Sequence, residues 1–139
     1  MYGPSLTGAR DGLATALADA WRSGGVVERA TNVVRTFIHV EDAAAALAEL
    51  ADLERGGTLH LGPKAPASSF AFALAIAHRL AVPPALVRPV RVSDMDAERR
   101  GVRLDTALDT SRAREELSTA FRSLGGRGES SPPGRTARW

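Results

Sequence analysis

The side chains here best suited to chemistry are guanidinium groups. Arg88, Arg91, Arg99, Arg100 and Arg103 gather in one short part of the chain, and Arg35 heads the stretch RTFIHVEDAAAALAEL, residues 35–50. An arginine offers N–H donors in a planar fork that matches two oxygens of a phosphate at once, so such a group suits capture of a phosphorylated ligand. The competing interpretation is a solvated face, with Asp94, Asp96 and Glu98 as partners, in a chain that carries seventeen arginines and one lysine, Lys64. Composition by itself favours that solvated face.

Other chemistries find little support. His39, His60 and His78 do not form a metal-ligand signature, and each is expected to be structural. Cysteine is absent, which removes disulfides and thiolate metal sites. There is no Gly-x-Ser-x-Gly elbow. Gly3 and Gly8 bracket four residues, but no Lys-Ser/Thr pair follows, so they make no phosphate loop. No Gly-x-Gly-x-x-Gly turn is present either. The chain is therefore expected to hold no metal and to bind no cofactor by itself.

The basic balance is confined to one end. The whole chain is +2, and the last fifteen residues, GGRGESSPPGRTARW, hold Arg127, Arg135 and Arg138 against Glu129. Three minus one is also +2, so residues 1–124 are neutral. That is not the footprint of a nucleic-acid binder. No apolar run approaches the roughly 18 residues of a membrane span, and MYGPSLTGARDG lacks the regions of a signal peptide. A cytoplasmic protein that contacts neither nucleic acid nor membrane is expected.

Apolar spacing supplies the elements that must carry these side chains. Residues 9–22 predict a helix with Leu13, Ala16, Leu17, Ala20 and Trp21 on its buried stripe. Residues 26–30 predict a short strand and 33–40 a clearer one. A helix over 41–53 follows, burying Ala43, Ala44, Leu47, Leu50 and Ala51, with Glu41 and Asp42 favourably placed in its first turn. TLHLG, residues 58–62, predicts a short buried strand. Ser68 or Ser69 caps a largely buried helix over 69–80. Residues 85–92 have strand character with Arg88 and Arg91 exposed, and 93–103 form a polar loop. The last helix spans 110–124, with Asp109 or Thr110 as its cap. Residues 125–139, rich in Gly, Ser, Pro and Arg, predict a disordered tail. The class is mixed α/β, with four main helices and few, short strands. So thin a sheet suits a piece packed against something else.

The order of these segments resembles the extended short-chain dehydrogenase/reductases. Tyr2-Gly3-Pro4 resembles their Tyr-Gly-Pro turn, and Arg35 to Ala44 resembles their Arg-Asp-Phe-Ile-His-Val-Asp-Asp-Val-Ala segment. Gly57 to Gly62 is similar to their Gly-x-x-His/Tyr-x-Gly/Ala-Gly strand. Ser68-Ser69-Phe70 resembles the start of their next helix, and Leu108 to Arg114 their Leu-Asp-Thr/Ser-Ser-Arg/Lys-Ala segment. The combination is most similar to the dTDP-4-dehydrorhamnose reductase-like sugar-nucleotide reductases, then to the NAD-dependent sugar epimerase/dehydratases.

The resemblance covers residues 1–124 and implies the C-terminal, substrate-binding part of a Rossmann-type fold. It implies that Arg35 and one of Arg99, Arg100 or Arg103 contact the diphosphate of a nucleoside-diphosphate sugar. It also implies that the turn Tyr2–Thr7 borders the sugar pocket. NAD(P) would belong to a complete family member. The family's glycine-rich turn and Tyr-x-x-x-Lys pair are missing, and Lys64 stands far from Tyr2. The family's Asp after the key arginine is Thr36 here, and an expected Arg-Pro is Arg100-Gly101. The expectation is a truncated or split enzyme that is not catalytic alone and pairs with a separate NAD(P)-binding half or with copies of itself. The alternatives are a non-catalytic interaction or regulatory module, or a remnant of the same fold.

Overall fold

In a computed structural model, residues 1–3, 12–53 and 56–124 are described. The start of the first expected helix, most of the Tyr2–Thr7 turn and the expected tail 125–139 lie outside these residues.

Helix α1 (Leu13–Arg22) buries Ala14, Leu17, Ala18 and Trp21, while Leu13 is exposed. The buried stripe is thus rotated from the expected one. Ala14 and Ala18 line a narrow cleft with Ile76, Arg79 and Leu80, and Trp21 directs its indole N–H to the Leu86 carbonyl at 3.4 Å. Small side chains against the neighbouring helix and one anchored aromatic set the rotation, where periodicity alone favoured Leu13. Gly24, at φ +77°, then turns the chain into β1 (Val27–Ala30).

β1 pairs in parallel with β4 (Val87–Val90), Val27 opposite Val87 and Ala30 opposite Val90. Asn32 extends this pair with its side chain. Its Nδ2 donates to the Val92 carbonyl at 2.8 Å, and its Oδ1 accepts from the Val92 N–H at 3.0 Å. The amide thereby does what a strand backbone would do.

The strand expected over 33–40 is shorter than its composition suggested. Only Val34–Arg35 forms a ladder, β2, lying antiparallel to β3 (Ala67–Ser68) and parallel to β5 (Asp105–Thr106). Further along there is a single parallel bridge between Tyr2 and His39, closed by Tyr2 N–H to Ile38 O at 2.8 Å and Val40 N–H to Tyr2 O at 2.7 Å. Residues 58–62 form no strand. Leu59 and Leu61 still pack inward, so the alternation persisted without a partner ladder.

Helix α2 (Val40–Ala51) is capped by His39, whose Nδ1 accepts the Glu41 N–H at 3.3 Å. It buries Asp42, Ala43 and Ala46, while Ala44, Leu47 and Ala51 are exposed, Leu47 at 60%. Of the expected apolar face, Ala43 is buried and Leu50 packs against a core, while Ala44, Leu47 and Ala51 point outward and Asp42 points inward. Ser68 caps α3 (Ser69–Arg79) by accepting the Ala71 N–H at 3.1 Å. A single 3-10 turn, Pro84–Leu86, then leads to β4.

A fifth helix, α4 (Asp94–Arg99), replaces the polar loop expected over 93–103. The Ser93 hydroxyl accepts the Asp96 N–H at 3.1 Å and donates to the Asp96 carboxylate at 2.7 Å, so a strong cap starts a helix that hydrophobic periodicity could not reveal. The last helix, α5 (Ser111–Glu116), is much shorter than 110–124. Asp109 supports its start, accepting the Ser111 N–H at 2.9 Å. Leu117 itself is extended, and no helix continues beyond it among the described residues. The N–H groups of Ser118, Thr119 and Arg122 donate to carboxylates of α2 and not to helix carbonyls.

Two cores result. The larger holds Tyr2, Leu17, Trp21, Val27, Phe37, Phe72, Ile76 and Val87 among its buried members. Phe37 stacks on Phe72 with centroids 4.2 Å apart, and Tyr2 meets Phe72 edge-on at 5.4 Å. The smaller is Ala46, Ala113 and Leu117, ringed by Leu50, Leu59, Leu61 and Phe121.

Candidate functional site

Arg35 is half-buried at the end of β2, and its guanidinium faces backbone. Its Nη2 donates to the Arg103 carbonyl at 2.8 Å. Nη1 donates to the Val34 carbonyl at 2.7 Å and the Leu104 carbonyl at 3.4 Å. The Leu104 carbonyl also accepts the Val34 N–H at 2.7 Å. One side chain thus ties β2 to the segment that leads into β5.

Arg103 is exposed beside this tie, and Arg99 and Arg100 are exposed at the end of α4. Arg99 lies 3.7 Å from Asp96. Helix α4 stops through Gly101 at φ +62°, with Gly101 N–H to Glu98 O at 3.1 Å and Val102 N–H to Ala97 O at 2.8 Å. This paired termination needs a left-handed residue. A proline, locked near φ −65°, could not occupy the position. The Arg100-Gly101 departure therefore has a local cause, and it turns the chain so that Arg103 follows directly beside Arg35.

Thr36 also has a defined task that sequence reasoning passed over. Its Oγ1 accepts the Leu108 N–H at 2.9 Å. A Cβ on Gly62, which sits at φ +154°, would approach the Thr36 methyl to 2.5 Å. Gly62 is thus required where the loop before β3 crosses β2, and Thr36 holds the start of the Leu108–Arg114 segment. Arg35 and Thr36 together fix residues 103–108 from one end of β2.

Of the Tyr2–Thr7 turn, Tyr2 and Gly3 lie within the described residues. Tyr2 is 4% exposed, packed edge-on against His39 with centroids 5.1 Å apart and against Phe72. Its hydroxyl is buried without a hydrogen-bond partner among the described residues. Burial pushes the phenol above its ordinary pKa, and the nearby Arg79 charge partly offsets this. Burial, then the Arg122 charge, holds the His39 imidazole below its ordinary value, so the ring stays neutral and serves as helix cap and packing partner. Tyr2 is thus a member of the larger core. His60 and His78 are exposed, and no group of His, Cys, Asp or Glu among the described residues could hold a metal ion.

A second polar construction joins α2 to the segment after Leu117. Asp42, buried to 4% exposure, accepts the Arg122 N–H at 2.8 Å and pairs with its Nε at 2.8 Å, while Glu41 takes Nη2 at 2.7 Å. Glu49 accepts the N–H groups of Ser118 at 2.6 Å and Thr119 at 3.0 Å. Donation from Arg122 holds the Glu41 carboxyl low, and donation from the Ser118 N–H does the same for Glu49. The spacing of Asp42, Ala46 and Glu49 was the available signal, since i, i+4 and i+7 share one helix face.

No described helix is long and apolar enough to cross a membrane. No protein-family model matches the chain, and no curated protein matches it. Solved structures share its fold, among them the following three. A hypothetical dTDP-4-dehydrorhamnose reductase from Sulfolobus tokodaii is 27% identical, with a TM-score of 0.64 over 83% of this chain and 41% of its own. A dTDP-4-dehydrorhamnose reductase from Bacillus anthracis in complex with NADP is 16% identical, with a TM-score of 0.62 over 89% and 41%. A dTDP-glucose 4,6-dehydratase from Streptomyces venezuelae with NAD and TYD bound is 20% identical, with a TM-score of 0.63 over 88% and 36%. The chain spans about two fifths of the length of these proteins.

Proposed function

We propose that this chain, whose fold is that of part of the dTDP-sugar reductases and dehydratases, is the portion that holds a nucleoside-diphosphate sugar. The observation that carries the reading is the meeting of Arg35 and Arg103 at the β2–β5 junction, with Arg99 and Arg100 at the adjoining end of α4. Several exposed guanidinium groups on one short, backbone-fixed segment suit the oxygens of a diphosphate. Tyr2, whose hydroxyl is buried without a hydrogen-bond partner among the described residues, is proposed to support the sugar side from within the core.

The residues present do not fit NAD(P). No strand of the described residues runs into a Gly-x-Gly-x-x-Gly turn, and the sole lysine, Lys64, is exposed and follows a buried proline, Pro63. In this reading the cofactor and the proton-transfer residues are supplied by a separate nucleotide-binding half, and the chain alone turns over no substrate. Calorimetric titration with dTDP and with dTDP-glucose tests it. Saturable one-to-one binding, weakened in Arg103→Ala and Arg100→Ala, is expected. Absence of heat with both ligands would remove the substrate-holding role.

The outward face of α2 favours a second reading, a non-catalytic interaction module. Ala44, Leu47, Ala48 and Ala51 form an exposed apolar stripe along it. Sedimentation analysis separates the two readings: a ligand-binding monomer supports the first, and self-association without dTDP binding supports the second.

A further inference from the structure

We infer that Thr58–Leu61 is the contact through which two copies of this chain pair, edge to edge and antiparallel about His60. Leu59 and Leu61 pack against the cluster of Ala46, Ala113 and Leu117, while Thr58 and His60 are exposed. The side chains therefore alternate as they do in a strand. The backbone joins no ladder: among the described residues, the N–H and carbonyl groups of 58–61 make no hydrogen bond. Such a row of unpaired donors and acceptors is a template for another strand.

Other strands of the molecule are guarded, and this segment is not. In the β1–β4 pair Glu28 and Arg88 are exposed, and Pro89 removes a donor from β4. The short strand β5 carries an exposed Asp105. Residues 56–63, GGTLHLGP, hold no Asp, Glu, Lys or Arg, so an arriving strand strips no such charge of its water. The pattern itself selects a second copy. About His60, residues 59–61 read Leu-His-Leu in both directions. Antiparallel pairing centred there sets Leu59 of one copy opposite Leu61 of the other. The leucines of both copies then share one face, over the two small cores, and both His60 rings share the other. The contact is isologous, so a two-fold axis closes it at the dimer. Each edge contributes so few residues that the contact falls below the roughly 1,000 Å² of a stable interface, and the dimer is weak and concentration-dependent. Arg99, Arg100 and Arg103 lie on α4 and the segment after it, so pairing is a separate property from the ligand binding proposed above.

Sedimentation of the full chain over a range of concentrations tests this, with hydrogen exchange to locate the contact. A monomer–dimer equilibrium is expected. Alternate amides of 58–61 should exchange about tenfold more slowly once about nine chains in ten are paired, because only the unpaired fraction exchanges. His60→Glu sets two carboxylates opposite each other and should weaken pairing by about fivefold. At an exposed position it should leave thermal unfolding of the dilute chain unchanged. Leu47→Glu, on the outward face of α2, should leave pairing as it is. A chain that stays monomeric at every concentration overturns the inference. So does a dimer in which exchange at 58–61 is unchanged, or one that Leu47→Glu dissolves and His60→Glu does not, since the contact then lies on α2. Failure to bind dTDP would remove the substrate-holding role and leave this result standing.

Discussion

The two cores of this molecule are held together by different forces. Around Phe72, large apolar rings stack and interdigitate: Phe37 face to face, Tyr2 edge-on, with Trp21, Leu17 and Ile76 in the same cluster. Around Ala46 the buried members are small and few, and the cover is a segment of backbone tied down by Glu41, Asp42 and Glu49. The first region is stabilised by area removed from water, at roughly 25 cal/mol per Å². The second is stabilised by charge-assisted hydrogen bonds to backbone N–H groups that have no helical partner. The first is the more sensitive to side-chain volume, and the second to the ionisation of its carboxylates.

Phe72→Ala should separate the two most strongly. It removes the ring that both Tyr2 and Phe37 contact, and a loss of about 3–5 kcal/mol is expected in denaturant unfolding. If the loss were below about 1 kcal/mol, the aromatic cluster would not be the main source of stability. Asp42→Asn should cost less, about 1–3 kcal/mol, because it leaves Arg122 and its N–H with a weaker acceptor. The loss should be accompanied by faster amide exchange at Ser118–Arg122 and little change around Phe72.

Acid should act first through His39, which packs on the Tyr2 ring, and then on the carboxylate-held region. Glu41 and Glu49 titrate lower in the folded chain than in the unfolded chain. Their contribution is therefore full above the unfolded value of about 4.3 and is lost as pH falls through the lower folded value. His39 is shifted in the same direction, so its neutral, buried form costs stability once pH drops below about 6.5. Unfolding free energy should fall in two stages on acidification, and Glu49→Gln should flatten the second. A pH-independent stability between about 6 and 3 would break the distinction between the cores.

The smallest expected effect is at the helix ends. Helix α3 terminates through Ala81 at φ +54°, whereas α4 terminates through Gly101 at φ +62°. Ala81→Gly should stabilise the chain by up to about 1 kcal/mol, since it relieves a left-handed alanine beside the larger core. Thermal unfolding would measure it, and a lower melting temperature would mean the strain is absent.

Much of the fold is legible in the order of residues alone. Helices α1, α2 and α3 and the β1 segment follow from local periodicity, α1 from the stop at Gly24 as well, and Ser68 announces the cap of α3. The five ordered resemblances lead to the fold that the three solved structures share. Facing is less legible. Leu47 and Ala44 look buried because apolar periodicity records which residues share a face, not which neighbour arrives there, and the arriving neighbour is the polar segment after Leu117.

The sequence by itself determined where α3 begins, because a cap such as Ser68 acts over three residues. It determined the aromatic core as well, since burial of Phe72, Trp21 and Phe37 follows from their size and apolarity. It also gathered Arg88, Arg91, Arg99, Arg100 and Arg103 in one short part of the chain. Only the tertiary structure decided that the last helix stops at Glu116, that the strand at Val34 is two residues long, and that Arg35 turns to the carbonyls of Arg103 and Leu104. Each of those outcomes depends on donors and acceptors about seventy positions apart, and whether a distant carboxylate or carbonyl outcompetes a local one is settled only once packing has brought it within about 3 Å.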